Sequence, residues 1–587
     1  MAADHYRLPR PVGPSPGIEL GATRPSTAEA VRVLLLARAR TGWLEMLALV
    51  ALWLVAVLIR LPHLWSAPVF HDDAEQLLHA LARAQAGAWF GPGAALSSVG
   101  AIHELLFTAA FAVVGPSPYL PRLMTAMQAA LTVPLVYVLT RELCRPLGRR
   151  RIQESFLMPR LAGLVAACLL ATSAAHVVVT SHVARAESFT PLLVIALLFT
   201  VERALNGQNG RWLLLAGALF GLAVQTSPLV LAILPGLALA GWWRARSLVL
   251  SHWSLVALAG FAGTYAGTLT TFFQGGSLSW PNLRLGSLWQ AADLSQNPSG
   301  EMYLDSVGVA LVAVWRMLAG QLTSRPPADN VLSDPLGWPF IGLAIVGGLV
   351  LLLRGRPLLP LVAVSCLMVL PYVSAETDPL LNGRYLMPVA VVGIVAIGVA
   401  VGALAPIVTG RGSLPRLALG VALGGLVLAP LGGLRNYYQE ATADERTADG
   451  LLRVPRAVFD ERRYDEAVLL DERLARLRLG AGGNALEALQ YLLAASSVPT
   501  RTITMTARTV AAEGTSGRAL IVLDRASLPA VEPGVRLTPL LDVWIDTEDG
   551  QTGAVTGAML FRAESFVPHR TLEDGSMPIY AGVDLDD

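Results

Sequence analysis

Apolar stretches of roughly 15–22 residues recur from residue 43 to about 434, separated by short loops rich in Arg, Pro and Gly. About 20 apolar residues span the hydrocarbon core of a bilayer, so this pattern predicts an all-α polytopic membrane protein. Candidate helices fall at roughly 43–61, 101–115, 121–141, 160–179, 188–204, 212–226, 228–243, 253–273, 304–320, 337–353, 358–374, 384–405 and 416–434. Two of these 13 segments are borderline: 101–115 is short and opens with His103-Glu104, and 304–320 carries Arg316 between polar flanks.

The arginines decide between arrangements, because basic residues in short loops favour the cytoplasm. If both borderline segments lie in the membrane plane or re-enter, one side receives Arg32/Arg38/Arg40, Arg141 to Arg160, Arg203/Arg211, Arg244/Arg246, Arg354/Arg356 and Arg411/Arg416. The opposite side then receives the acidic 62–100 loop, the Ala184–Glu187 turn, the 274–336 loop, the Glu376–Arg384 loop and everything after 435. Eleven full crossings satisfy this rule; thirteen would put the Arg141–Arg160 cluster outside.

The patterning changes at both ends. Residues 1–42 are rich in Pro and Arg and are expected to be a disordered cytoplasmic segment, followed by a membrane domain over 43–434. About 40 residues precede the first apolar run, too many for a signal-peptide n-region. From 435 to 587 the sequence reads as a small extracytoplasmic α/β domain. Glu466–Asp471 and Arg518–Asp524 read as buried strands, Asn484–Ala495 as an amphipathic helix, and Arg501–Thr506 as another strand.

Composition agrees with a membrane protein: 54% of residues are hydrophobic and mean hydropathy is +0.54. There is no lysine, so all 44 basic residues are arginine, a bias that a GC-rich bacterial genome explains. The net charge of +1 argues neither for nor against nucleic acid, and no such partner is expected. Cys144, Cys168 and Cys366 have no paired spacing, which argues against a disulfide framework or a thiolate zinc site.

The candidate chemistry lies on the external side. Phe70-His71-Asp72-Asp73-Ala74-Glu75 puts three carboxylates just beyond the first span. Ionisable groups at the edge of the hydrocarbon are expensive and mark functional sites by default. A further acid, Glu187, follows Ser181-His182-Val183-Ala184-Arg185-Ala186, and Asn382-Gly383-Arg384-Tyr385 opens another helix on the same side. Acids and an arginine on one membrane surface suit a reaction in which a carboxylate takes a proton from a hydroxyl while cations hold a phosphate leaving group. Each group also has a structural reading: a solvated helix end for Asp72 and Asp73, an ion pair with Arg185 for Glu187, and an interfacial anchor for Arg384.

These motifs, in their order, resemble the GT-C glycosyltransferases that use polyprenyl-phosphate sugars, in particular the protein O-mannosyltransferase and lipid A aminoarabinose transferase branch. Asp72-Asp73 stands where that family has an Asp-Glu pair. Ile102–Leu123, with Val114-Gly115-Pro116-Ser117 and Pro121-Arg122-Leu123, resembles its short helix, Gly-x-Ser turn and Arg-Leu opening of the next span. Ser181–Glu187 resembles Ser-Arg-x-Ala-Arg-x-Asp with Glu in place of Asp, while Arg211–Pro228 and Gly383–Pro388 resemble two later motifs. The likeness covers roughly residues 43–405.

The resemblance implies a GT-C-like fold and an inverting transferase at the outer face of a bacterial plasma membrane, with an acceptor glycan, lipid or protein. It implies Asp72 or Asp73 as general base, Glu187 as a second acid, and Arg384 on the lipid phosphate, helped by Arg122 or Arg185. Tyr385 and His103 complete the substrate-binding set. A divalent metal, held by Asp72 and Glu187, is used by some relatives, but nothing in the sequence requires one. Two departures touch the phosphate contacts: Ile102-His103-Glu104-Leu105 replaces His-Pro-Pro-Leu, and Ser227 stands where a lysine would follow Thr226. The alternative class is a transporter or flippase for lipid-linked envelope precursors. It predicts internal repeats and polar groups at the bilayer midplane, whereas no repeat is visible and the ionisable groups gather at helix ends.

Overall fold

The computed structural model describes residues 27–62, 71–87, 101–145, 157–275, 300–320, 337–373, 379–409, 412–443, 468–479, 483–504, 518–524, 535–545 and 556–565, with Leu64 and without a few single positions inside these ranges. The chain divides into two compact units, Met1–Ala51 and Leu52–Asp587. The first, as far as it is described, is helical from Thr27. Helix α1, Thr27–Arg60, therefore starts well inside the segment expected to be disordered. The sequence after Pro25 explains this: Thr27–Arg40 is built from Ala, Leu, Arg, Glu and Val without proline or glycine, a composition that favours helix.

The rest of the membrane part comprises α2 (His71–Ala86), α3 (Ala101–Val114), α4 (Leu120–Leu143), α5 (Leu157–Thr172), α6 (Ala174–Ser181), α7 (Thr190–Gly207), α8 (Arg211–Thr226), α9 (Leu234–Arg244), α10 (Arg246–Val249), α11 (His252–Gly275), α12 (Gly300–Ala319), α13 (Gly337–Leu353), α14 (Leu358–Val373), α15 (Pro379–Thr409) and α16 (Ser413–Ala443). Five segments among the described residues are long and apolar enough to cross a membrane: Trp43–Arg60, Leu120–Leu143, Ala186–Gly207, Leu386–Val408 and Ser413–Asn436. The pair Pro159–Thr172 and Ala174–Ser181, bent by 59°, makes a sixth if it is one broken span. Other apolar helices are shorter, α8 having 16 residues and α9 having 11. The chain is a multi-pass membrane protein.

Two expectations change. Residues 160–179 read as one helix, but the helix breaks at Ser173, whose extended backbone (φ −62°, ψ 112°) lets its hydroxyl accept from His176 N. This is an ordinary N-cap, and it restarts the chain in a new direction. Within the supposed 62–100 loop lies α2, an amphipathic helix with the acids in its first turn, where the helix dipole favours negative charge.

Small residues set the closest helix approaches, as expected where lipid supplies no hydrophobic drive between helices. At Gly217 of α8 a Cβ would overlap the Ala257 carbonyl of α11, and at Gly347 of α13 it would overlap the Ala396 carbonyl of α15.

At one end of the bundle, charges that the arginine pattern assigned to a single side meet in a network. Glu142 at the end of α4 pairs with Arg145 (2.6 Å) and with Arg203 of α7 (3.4 Å). Buried Glu202 pairs with Arg244 of α9 (2.7 Å) and with Arg356, which also donates to the Glu142 carbonyl (3.0 Å). The ends of α4, α7 and α9 and the turn before α14 therefore share one level, as the alternating topology requires.

The C-terminal part carries a five-stranded sheet in the order β4-β1-β5-β7-β6, from β1 (Val468–Asp471), β4 (Thr500–Ile503), β5 (Arg518–Asp524), β6 (Val535–Ile545) and β7 (Thr556–Ser565). A small ribbon pairs β2 (Arg478–Leu479) with β3 (Gly483–Asn484). β1 pairs parallel with β4 and β5, while β5–β7 and β6–β7 are antiparallel. Helix α17 (Ala485–Ala495) makes the crossover between β1 and β4. The core of this sheet does not stop at the domain: Val468, Leu470, Leu489, Leu492 and Val522 belong to one buried cluster with Ala74, Leu77 and Leu81 of α2 and Phe107 and Phe111 of α3.

Candidate active site

Asp72 and Asp73 stand in the first turn of α2, twelve and thirteen residues beyond the end of α1. After them the helix presents Ala74, Leu77, Ala80 and Leu81 to the buried cluster, at 2% exposure or less. That spacing is one face of an α-helix. Ala74 is fully buried, so the backbone of the acid-bearing turn is held against the core. The side chains of His71, Asp72, Asp73 and Glu75 lie outside the described residues.

Helix α3 runs beside α2, and a buried ion pair joins them: Arg83 Nη2 lies 3.0 Å from Glu104 Oε1. The neighbouring His103 is completely buried, edge-on to Phe107 (4.3 Å between ring centroids) and stacked on Phe189 (6.3 Å). Among the described residues, neither ring nitrogen has a hydrogen-bond partner within bonding geometry. Burial pushes the imidazole down to about 3, against a smaller opposing effect of Gln128, so it is neutral at physiological pH. A neutral His103 can donate to or accept from a hydroxyl, but it brings no charge to a phosphate.

Phe189 belongs to the same 3₁₀ turn, Ala186–Phe189, as half-buried Glu187. His103 and the Glu187 turn are thereby brought together. Ala184, three residues before Glu187, joins the same buried cluster as Ala74 and Leu77, so both acid-bearing turns border one core. The turn is fastened from α4, whose Thr125 hydroxyl donates to the Ser181 carbonyl (3.2 Å), and by the Thr190–Thr226 hydroxyl pair (2.9 Å). His182 stacks on Tyr438 of α16 at 5.7 Å.

Arg122 is buried at the start of α4 and donates to the Leu64 carbonyl (3.1 Å), tying down the loop that leads from α1 toward Asp72. Arg384 and Tyr385 lie in the opening part of α15, with side chains outside the described residues. Arg185 lies outside them altogether. Sequence reasoning missed Arg83 and Phe189, because an Arg inside an unrecognised helix and a Phe at the mouth of a span carry no signal of their own. It also missed Arg60, which contacts His176 Nδ1 through Nη2 (2.6 Å) at the same end of the bundle.

No group of three or more His, Cys, Asp or Glu side chains suited to a metal occurs among the described residues. Of the expected metal ligands, Glu187 is described and the Asp72 carboxylate is not.

Residues 82–249 match the family model described as protein O-mannosyl-transferase TMEM260 N-terminal domain. No curated protein matches the sequence. Among solved structures, the crystal structure of ArnT from Cupriavidus metallidurans in the apo state is 13% identical, with a TM-score of 0.53 over 89% of this chain and 98% of that one. ArnT bound to undecaprenyl phosphate matches with the same figures. The chain has the fold of ArnT. The resemblance read from the motifs is thus met by the fold over nearly the whole chain. The family segment starts inside α2 at Ala82 and ends in α10, so it takes in His103, Arg122, Arg185 and Glu187 and leaves out Asp72, Asp73 and Arg384.

Proposed function

We propose that this protein is a membrane glycosyltransferase that moves a sugar from a polyprenyl-phosphate donor to an acceptor hydroxyl, at the bundle end where α2, α3 and the Glu187 turn meet. The observation that carries the reading is the Asp72–Asp73 turn: two acids in the first turn of a helix whose apolar residues, Ala74 and Leu77, are locked in a core shared with Ala184 of the Glu187 segment. The ArnT-type fold and the undecaprenyl phosphate named for one ArnT structure support a lipid-linked donor. The TMEM260 model supports transfer of a sugar.

In this reading Asp72, or Asp73 beside it, takes the proton of the acceptor hydroxyl as its oxygen attacks the anomeric carbon. The new carbon–oxygen bond forms opposite the one that breaks, so the sugar inverts and the polyprenyl phosphate leaves with the bonding electrons. Arg384, with Arg185, meets the phosphate charge. Arg122 acts through the Leu64 loop, and His103 offers a neutral hydrogen bond beside Glu187. The lipid tail stays in the bilayer, which explains a site at helix ends rather than in a soluble cleft. A divalent ion would need Asp72 together with Glu187. We place this end, with the C-terminal domain, outside the cytoplasm of a bacterial plasma membrane, because the arginine-rich ends form the opposite network.

The test is release of polyprenyl phosphate and appearance of a glycosylated acceptor from protein in nanodiscs. A flippase would instead move the donor across the bilayer intact. Gene deletion then names the acceptor by the glycan that disappears.

A further inference from the structure

Helix α2 owes its position to an unusual set of neighbours. Among the described residues its principal contacts are α3, α17 and β3, so one other short helix and the C-terminal domain supply most of its packing. Its apolar stripe, Ala74, Leu77, Ala80 and Leu81, is buried in the same cluster as Ala488, Leu489 and Leu492 of α17, with none of these seven residues above 2% exposure. Leu486 and Ala494 of α17 flank that cluster. On the other side, the Arg83–Glu104 pair fixes α2 to α3, which in turn touches α4, α8 and the Glu187 turn.

We propose that α17 of the C-terminal domain is the positioning element for the Asp72–Asp73 turn. The α/β domain then serves as the outer half of the clamp that sets the distance between the base on α2 and a donor held by the bundle. The inference rests on the glycosyltransferase reading and adds a role to the domain. Leu489 is its central positioning residue, since it is fully buried at the middle of α17. Misplacing a reacting group by about 1 Å can lower a rate by ~10²-fold without changing how tightly substrate binds. A clamp of this kind therefore shows itself in turnover and not in donor affinity. A domain that only covers apolar surface would lose stability when loosened, and each folded molecule would still turn over normally.

The test compares full-length wild type, Leu489→Ala, Leu489→Met and the milder Leu486→Ala in nanodiscs. Three quantities are read: kcat for sugar transfer, donor affinity by an independent binding measurement, and amide exchange across α2. Leu489→Ala should lower kcat by about tenfold or more, leave donor affinity within about twofold, and speed exchange in α2, because the substrate-bound geometry and not the binding is disturbed. Leu489→Met, which keeps volume, should recover most of the rate. If Leu489→Ala does not fold, Leu486→Ala should show the same pattern at smaller size. Faster exchange in α2 with unchanged kcat overturns the proposal, as does an equal loss of kcat and donor affinity. Asp72→Asn, run alongside, separates the two claims. Loss of transfer there with unimpaired Leu489→Ala removes the positioning role and keeps the base, whereas full transfer by Asp72→Asn removes the base itself.

Discussion

Arg83 at the end of α2 and Glu104 at the start of α3 form an ion pair of 3.0 Å, with side chains 5% and 0% exposed. This pair closes the α2–α3 unit in the last turn of α2, at the opposite end of the helix from the turn that carries the acids. Removing one partner of a buried pair typically destabilises by ~3–5 kcal/mol, whereas replacing both with well-packed apolar residues is often neutral. Glu104→Gln should therefore lower the thermal midpoint clearly, and the double change Arg83→Met with Glu104→Leu should restore much of it. Equal losses in the single and double variants would show that the pair is not what joins the helices.

His103 gives the protein a pH signature. Its folded-state pKa of about 3 lies below the ordinary 6.5, so folding favours the neutral ring. Its contribution is fully present above pH 6.5 and is lost progressively as pH falls toward 3. Thermal stability should decline with acidification across that window, and His103→Leu should make the decline shallower. An unchanged slope in the variant would contradict the assignment.

Close helix approach predicts a third result. Gly217→Ala adds a methyl where the Ala257 carbonyl already stands, so α8 and α11 must separate. Such overpacking typically costs ~1–3 kcal/mol. Gly263→Ala on α11, where a Cβ meets nothing within 4 Å, is the control. Equal melting of the two variants would disprove the close contact.

Much of this fold is legible in the sequence, since hydrophobic run length and arginine placement are set by the bilayer. The network of Glu142, Glu202, Arg203, Arg244 and Arg356 gives the arginines at this end a second role: those side chains bind helix ends to each other. What was not legible depends on tertiary contacts. The amphipathic stripe of α2 needs α17 to cover it, and the two are some 400 residues apart in sequence. The break at Ser173 interrupts an otherwise continuous apolar run. Strand β6 hides behind Pro539, which cannot donate to a ladder and sits at a register shift before Leu541. The candidate acids stood out because charge at a membrane edge is rare; Arg83 and Phe189 matter only through their neighbours.

Topology gives a fourth prediction. With the arginine-rich ends cytoplasmic, a phosphatase fused after Ala443, at the end of α16, should be active outside. Activity there of a reporter that works only in the cytoplasm would invert the arrangement.

The central claim is that a carboxylate in the first turn of α2 is the base. Asp72→Asn keeps the shape and removes the basicity, and general-base assistance typically contributes ~10²–10⁴ in rate. Asp73→Asn should do less if Asp73 only orients its neighbour, and Glu187→Gln should also slow turnover. The decisive measurement is sugar transfer in nanodiscs from a defined polyprenyl-phosphate donor, with donor affinity measured separately. The account predicts that Asp72→Asn binds donor as wild type does and loses transfer by that factor. Undiminished transfer when Asp72, Asp73 and Glu187 are all neutralised would contradict it.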